Sequence, residues 1–130
     1  METSDCPFCN LADDQCVLDS EDVRAFRDSF PISKGHTLVI PRQHVASIFD
    51  LEDDELAAIW SAVSQVRRRL QKEFNPNGFN IGVNDGEAAG QTVAHAHVHL
   101  IPRYAGDAPD PRGGVRWIIP SKADYWSDRQ

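Results

Sequence analysis

The stretch Val93-Ala94-His95-Ala96-His97-Val98-His99-Leu100-Ile101-Pro102 decides how this chain is read. It holds three of the five histidines, at alternate positions, with Ala96 and Val98 between them and Leu100 next. Period-2 alternation of this kind predicts a half-buried β-strand. Successive strand side chains point to opposite faces, so the three imidazoles share one face and Ala96, Val98 and Leu100 the other. Neighbouring imidazoles then lie roughly 6.6 Å apart, which leaves room for a phosphate or a metal ion between two of them. Thr, Lys or Glu would serve equally well on a merely solvated edge. Histidine adds titration near neutrality, metal binding and acid, base or nucleophilic chemistry.

Working outward, 130 residues suit one domain (1–130), with a core over about 6–120 and a polar tail over 121–130. That length buries a core without disulfide or metal staples. A net charge of −7 argues against a broad electrostatic grip on a nucleic acid polymer, yet leaves a phosphate ester in a local pocket open. The first residues, Met1-Glu2-Thr3-Ser4-Asp5, lack the basic and apolar regions of a signal peptide. No apolar run approaches the ~20 residues of a membrane span. Three cysteines, two of them spaced CxxC, do not make a secreted disulfide framework. The expected compartment is the cytoplasm.

Cys6-Pro7-Phe8-Cys9 reads as a zinc half-site, a redox pair or an inert pair. A redox pair should follow a strand, and only five residues precede this one, so the zinc half-site is favoured; it needs two more ligands. Cys16 reads as a small core residue. Short strands are expected over 15–19 and 22–27, and a continuous apolar strand over 36–41 that Pro41 ends. A short helical turn is expected over 45–49. Asp50 is the expected N-cap of a long helix reaching about Phe74, with Leu56, Ile59, Trp60, Val63, Val66 and Leu70 as its apolar stripe. Asn75-Pro76-Asn77-Gly78 stops it, and Phe79 to Val83 is a strand. A glycine-bearing loop, 84–91, runs into the histidine strand, which Pro102 closes. Val115 to Pro120 is a last extended piece. Strands flanking one long helix imply an α+β domain with an antiparallel sheet.

Four collinear segments carry a resemblance. They are His95-Ala96-His97-Val98-His99-Leu100-Ile101; Gly35-His36-Thr37-Leu38-Val39-Ile40-Pro41-Arg42-Gln43-His44; Asn84 with its glycine-bearing loop; and Gly90-Gln91-Thr92. Together they resemble the histidine-triad (HIT) superfamily over roughly Cys6 to Pro120. The stretch past the triad, Arg103-Tyr104 and then 111–117, resembles the zinc-containing and dinucleoside polyphosphate-cleaving members. The resemblance implies a five-stranded antiparallel sheet with one long and one short helix, paired into a homodimer with a continuous sheet. It also implies hydrolysis or transfer at the α-phosphorus of a nucleoside phosphate derivative carrying AMP or GMP.

By that resemblance His97 is the nucleophile that forms a nucleotidyl-histidine intermediate. His99 and His36 bind phosphate oxygens, orient or protonate, and Gln91 and Thr92 contact the α-phosphate and leaving group. Asn84 is a phosphate- or ribose-side ligand, Asp28 holds the ribose hydroxyls, and Phe8, Leu11, Phe26 and Arg27 line the nucleoside pocket. Cys6, Cys9, His44 and His95 form a structural zinc site, and any Mg2+ arrives with the substrate. The chemistry agrees: neutral imidazole attacks at pH 7, and covalent catalysis divides one hard displacement into two. The leading expectation is a dinucleoside polyphosphate hydrolase of the diadenosine tetraphosphatase kind. The alternatives are a purine nucleoside phosphoramidase, a metal-dependent hydrolase built on the HxHxH strand, and a nucleotide-binding module without turnover.

Overall fold

A computed structural model describes residues 3–127. The remainder of the expected tail, 128–130, lies outside the described residues. Five strands, β1 (Cys16–Asp19), β2 (Val23–Arg27), β3 (Thr37–Pro41), β4 (Gly78–Val83) and β5 (Val98–Arg103), form one antiparallel sheet in the order β1-β2-β3-β5-β4. The long helix α1 (Asp53–Phe74) packs on β2, β3 and β5. The α+β architecture expected from the sequence is therefore the observed one. Among the described residues no helix is long and apolar enough to cross a membrane.

Register separates two faces, because directly opposed residues lie on the same side of a sheet. Ala25, Val39 and Val98 oppose one another and join Val23, Leu100 and the helix residues Ile59, Ala62, Val63, Val66 and Leu70 in the main core. Phe26, Leu38, His99 and Gly82 oppose one another on the other face. There Phe26, Leu38 and Ile40 form a second apolar cluster, with Phe8 and Leu11 of the N-terminal segment packed on it. The sheet is thus covered by a helix on one side and by the chain's start on the other.

Several boundaries differ from the expectation, each for a physical reason. The strand expected to carry all three alternating histidines begins only at Val98, so His95 and His97 precede it. Ahead of it the Ala96 N–H donates to Val45 O at 2.7 Å, and the facing Pro41 has no N–H for a ladder. Pro102 does not close β5 but pairs with Phe79 inside it. β3 reaches only as far as Leu100, so no ladder bond is lost at the missing N–H. α1 is capped at Glu52 rather than Asp50. Ser47 caps a separate 3-10 turn, Ile48–Asp50, by accepting from the Phe49 N–H, and Leu51 is extended between the two. Trp60, expected in the buried stripe, is 44 % exposed.

At the far end the expected stop holds: Asn75 adopts a left-handed conformation and donates its N–H to Gln71 O. Cys16 is half-buried rather than a core residue. The extended piece expected over Val115 to Pro120 is instead a 3-10 turn, Gly114–Ile118, followed by α2 (Pro120–Ala123). Gly113 and Gly114 turn the chain at positive φ, and Pro120 suits the first helical position. Ala123, within the expected polar tail, is fully buried.

Candidate functional site

The three triad histidines are oriented by three different partners. His95 Nε2 stands 2.9 Å from Pro41 O, so that nitrogen carries the proton and Nδ1 is left with a lone pair. His97 Nδ1 stands 2.9 Å from the backbone carbonyl of His95, so here Nδ1–H donates and Nε2 keeps the lone pair. His36 Nδ1 accepts from the Ile32 N–H at 3.2 Å, which places its proton on Nε2, 3.0 Å from His99 Nδ1. His99 accepts there and carries its own proton on Nε2. These tautomers follow from the partners, since a neutral imidazole has one donor and one acceptor.

His97 and His99 are adjacent, their ring centroids 5.1 Å apart. His97 is only 8 % exposed, yet among the described residues its Nε2 has no protein partner, and it is not one of the sealed buried atoms without a hydrogen bond, which are Arg24 Nε and Ser33 Oγ. The pair therefore offers a lone pair and an N–H side by side. Asp28 stands behind them, Oδ2 3.5 Å from His36 Nε2, with Oδ1 accepting from the Phe30 N–H at 2.9 Å. Burial lowers the affinity of His99 for a second proton to a pKa of about 4, with His97 and His36 adding to the effect. Burial also lowers His36, against the opposing pull of Asp28. Both rings are therefore neutral at pH 7.

Asp28, His36, His99 and Asn84 line a cavity of about 870 Å³ whose remaining wall includes Ile81, Ile101 and Val115. Phe8 and Phe26 stack at a tilt, centroids 5.2 Å apart, in the apolar cluster that also holds Leu11. The expected site residues are not all brought together. Arg27 donates to Thr37 Oγ1 and pairs with Glu73 at 2.9 Å, placing it toward the end of α1 rather than beside Asp28. The Gln91 amide is engaged by the backbone: it donates to Ala46 O and Val93 O and accepts from the Gly86 N–H, tying the loop to the 45–49 segment. Thr92 is exposed and lines a separate cavity of about 560 Å³ with Ala46 and Gly90. Arg24 was not singled out from the sequence. It is buried, pairs with Asp13 at 2.7 Å and donates to Leu11 O, tying the N-terminal segment to β2. Its partners Asp13 and Asp19 lie only a few residues upstream, and nothing in their spacing marks Arg24 as the buried one.

Cys6, Cys9, His44 and His95 converge as expected, their ligand atoms all within 4.8 Å of one another. His95 Nδ1 lies 3.4 Å from Cys6 Sγ, 3.5 Å from Cys9 Sγ and 3.2 Å from His44 Nδ1, and Cys9 Sγ lies 3.2 Å from His44 Nδ1. A tetrahedral zinc ion, with Zn–S of about 2.3 Å and Zn–N of about 2.0–2.1 Å, sets donor separations of about 3.3–3.8 Å. The donors are thus already spaced for the ion. The second nitrogen of His95 is anchored on a carbonyl, the usual arrangement for a metal-bound imidazole. Burial and the neighbouring Cys6 push the Cys9 thiol up to about 11, a penalty that a bound cation would reverse.

This fold and this paired-histidine face are those of histidine-triad proteins, and residues 10–106 match the HIT domain, so the chain belongs to that family. It is 45 % identical over 83 residues to the asymmetrical bis(5'-nucleosyl)-tetraphosphatase of Schizosaccharomyces pombe, a match covering 64 % of this chain and 46 % of that protein. It is 34 % identical over 108 residues to the adenylylsulfatase HINT3 of Arabidopsis thaliana, covering 80 % and 55 %. The crystal structure of a zinc-bound histidine triad family protein from Mycobacterium smegmatis superposes with a TM-score of 0.74 at 30 % identity, covering 98 % of this chain and 99 % of the other.

Proposed function

We propose that this protein hydrolyses a dinucleoside polyphosphate of the diadenosine tetraphosphate kind through a nucleotidyl-histidine intermediate. One observation carries the reading: His97 offers a lone pair at Nε2 and the adjoining His99 offers an N–H. His97 Nε2 attacks the α-phosphorus, forming a P–N bond as the Pα–O bond to the polyphosphate breaks, and the departing oxygen takes a proton from solvent, which the water of the second step returns. Water then attacks the same phosphorus, the P–N bond breaks, and nucleoside monophosphate leaves with the imidazole restored. His99 Nε2–H stabilises the phosphoryl oxygens, and His36 and Asp28 hold that ring in the required tautomer. The ribose is placed at Asp28, Asn84 faces the phosphate or ribose, and the base lies toward Phe8, Leu11 and Phe26.

The named activity of the fission-yeast relative supports the choice of leaving group. A second reading, cleavage of a P–N or adenylylsulfate bond by the same nucleophile, is favoured by the plant relative. Comparing kcat/KM on diadenosine tetraphosphate, an adenosine phosphoramidate and adenylylsulfate separates them. Rapid-quench capture of AMP on His97 is the direct test, and turnover without it would refute the mechanism. Activity that disappears in a strong chelator while the His97 imidazole keeps its protonation pattern would instead favour a metal-dependent hydrolase.

The same proposal assigns zinc to Cys6, Cys9, His44 and His95, where it supplies no reacting group and fixes the N-terminal segment against β3 and the triad. A homodimer is proposed through β4. Among the described residues β4 pairs with β5 and with no other strand, which leaves its outer edge to continue the sheet into a second copy.

A further inference from the structure

The Cys/His cluster and His97 share two pieces of the molecule. The first is residue His95: its ring gives Nδ1 to the cluster, while its backbone carbonyl accepts from His97 Nδ1 at 2.9 Å. The second is Phe8, which lies between Cys6 and Cys9 in the sequence. Its ring stands edge-on to His95 with centroids 5.8 Å apart and edge-on to His97 at 5.2 Å, and leans on Phe26. We propose that occupancy of the cluster by zinc sets the tautomer and position of the His97 ring, so that Phe8 and His95 are positioning residues for the nucleophile. This rests on the zinc site and the nucleophile proposed above.

Attack on phosphorus needs a lone pair at His97 Nε2, and only the Nδ1–H tautomer provides one. A single acceptor holds that tautomer, the carbonyl of His95. Where that carbonyl points depends on the peptide it shares with the Ala96 N–H, which donates to Val45 O next to the ligand His44, and on how the His95 ring is held: Nε2 on Pro41 O, Nδ1 in the cluster. With the ion gone, the second anchor is reduced to thiols and an imidazole at 3.2–3.5 Å, none of which fixes a geometry as four metal bonds do. The knuckle that carries Phe8 loosens at the same moment. Among the described residues it keeps the Asn10 side chain, which donates to Thr3 O, Ser4 O and Cys6 O within the segment itself, the Arg24 contacts further along, and the non-directional packing of Phe8 and Leu11 on Phe26, Leu38 and Ile40.

The test compares zinc-loaded protein with protein stripped by a chelator and then reloaded, using imidazole 15N spectra in which His97 is assigned by its loss in His97→Gln. Loaded protein should show protonated Nδ1 and bare Nε2 at His97. Stripping should replace this with averaged tautomers, lower kcat at least tenfold and leave KM within threefold, and reloading should restore both. An unchanged His97 pattern in metal-free protein overturns the proposal. Should stripping unfold the chain by circular dichroism, Phe8→Leu carries the test, since it keeps all four ligands. Averaged His97 tautomers at full zinc content, with the loaded pattern recovered in Phe8→Tyr, support the proposal; an unchanged pattern overturns it. A chain that takes up no zinc overturns both this inference and the zinc assignment. The imidazole readout uses no substrate, so failure to turn over any nucleotide would refute the proposed activity while leaving this test in force.

Discussion

His97 and His99 are two residues apart, yet their outward nitrogens differ: one is a bare lone pair, the other an N–H. A phosphoryl group needs both, one to attack and one to receive the charge that develops on oxygen. Replacing His97 by Ala removes the attacker and leaves the oxygen-binding side intact. kcat for diadenosine tetraphosphate should fall at least about a thousandfold, while nucleotide affinity measured by calorimetry stays within a few-fold. Affinity lost in parallel with kcat would mean that the ring binds substrate rather than reacts with it.

At the scale of elements, the turn into β3 depends on the end of α1. Gly35 has a φ of +91°, and a Cβ there would lie 2.8 Å from Phe74 Cδ2 and 3.3 Å from Leu70 Cδ2. Gly35→Ala therefore combines backbone strain with overpacking beside His36 and should cost about 2–4 kcal/mol in urea unfolding. Leu70, fully buried beneath β3, is the other half of that junction. Leu70→Ala should cost a similar amount, about 2–5 kcal/mol, through lost transfer energy and a cavity. The two sites touch the same space, so the double mutant should fall short of the sum, because a smaller residue 70 removes the 3.3 Å contact and leaves room for the Phe74 ring to yield.

Across the whole molecule, acid and concentration are the informative variables. Burial depresses the folded pKa of His99 from 6.5 to about 4, and His36 is depressed as well. Between those values the unfolded chain binds more protons than the folded one. Stability should therefore fall as pH is lowered through 6.5 toward 4 and level off for this group below that. Thermal unfolding of the wild type and of His99→Gln over pH 4–8 checks it, since the variant should show a flatter acid limb. Sedimentation should give a dimer that Ile81→Pro, on the free edge of β4, converts to monomer; a wild type that stays monomeric at high concentration removes the sheet-continuation proposal.

Much of this protein was legible in local chemistry. Period-3.6 apolar residues announced α1, Asn75-Pro76 its end, and the CxxC pair its need for two further ligands, because each depends on neighbours a few residues away. Where β5 begins could not be read that way. His95 and His97 alternate like strand residues, but the Ala96 N–H between them goes to Val45 O, a partner that only the fold brings near, and the His95 carbonyl goes to the His97 imidazole instead of a ladder. The same holds for Arg27, whose strand position faces Glu73 and Thr37, and for the turn-and-helix of 114–123, which two left-handed glycines impose on an apolar run. The sequence by itself determined which residues carry chemistry, since residue type and spacing are written in the chain. Only the tertiary structure settled which nitrogen of each histidine is bare, because His95 and His99 take their partners, Pro41 O and His36, from other elements, and the local partners of His97 and His36 face the rings only in the folded backbone.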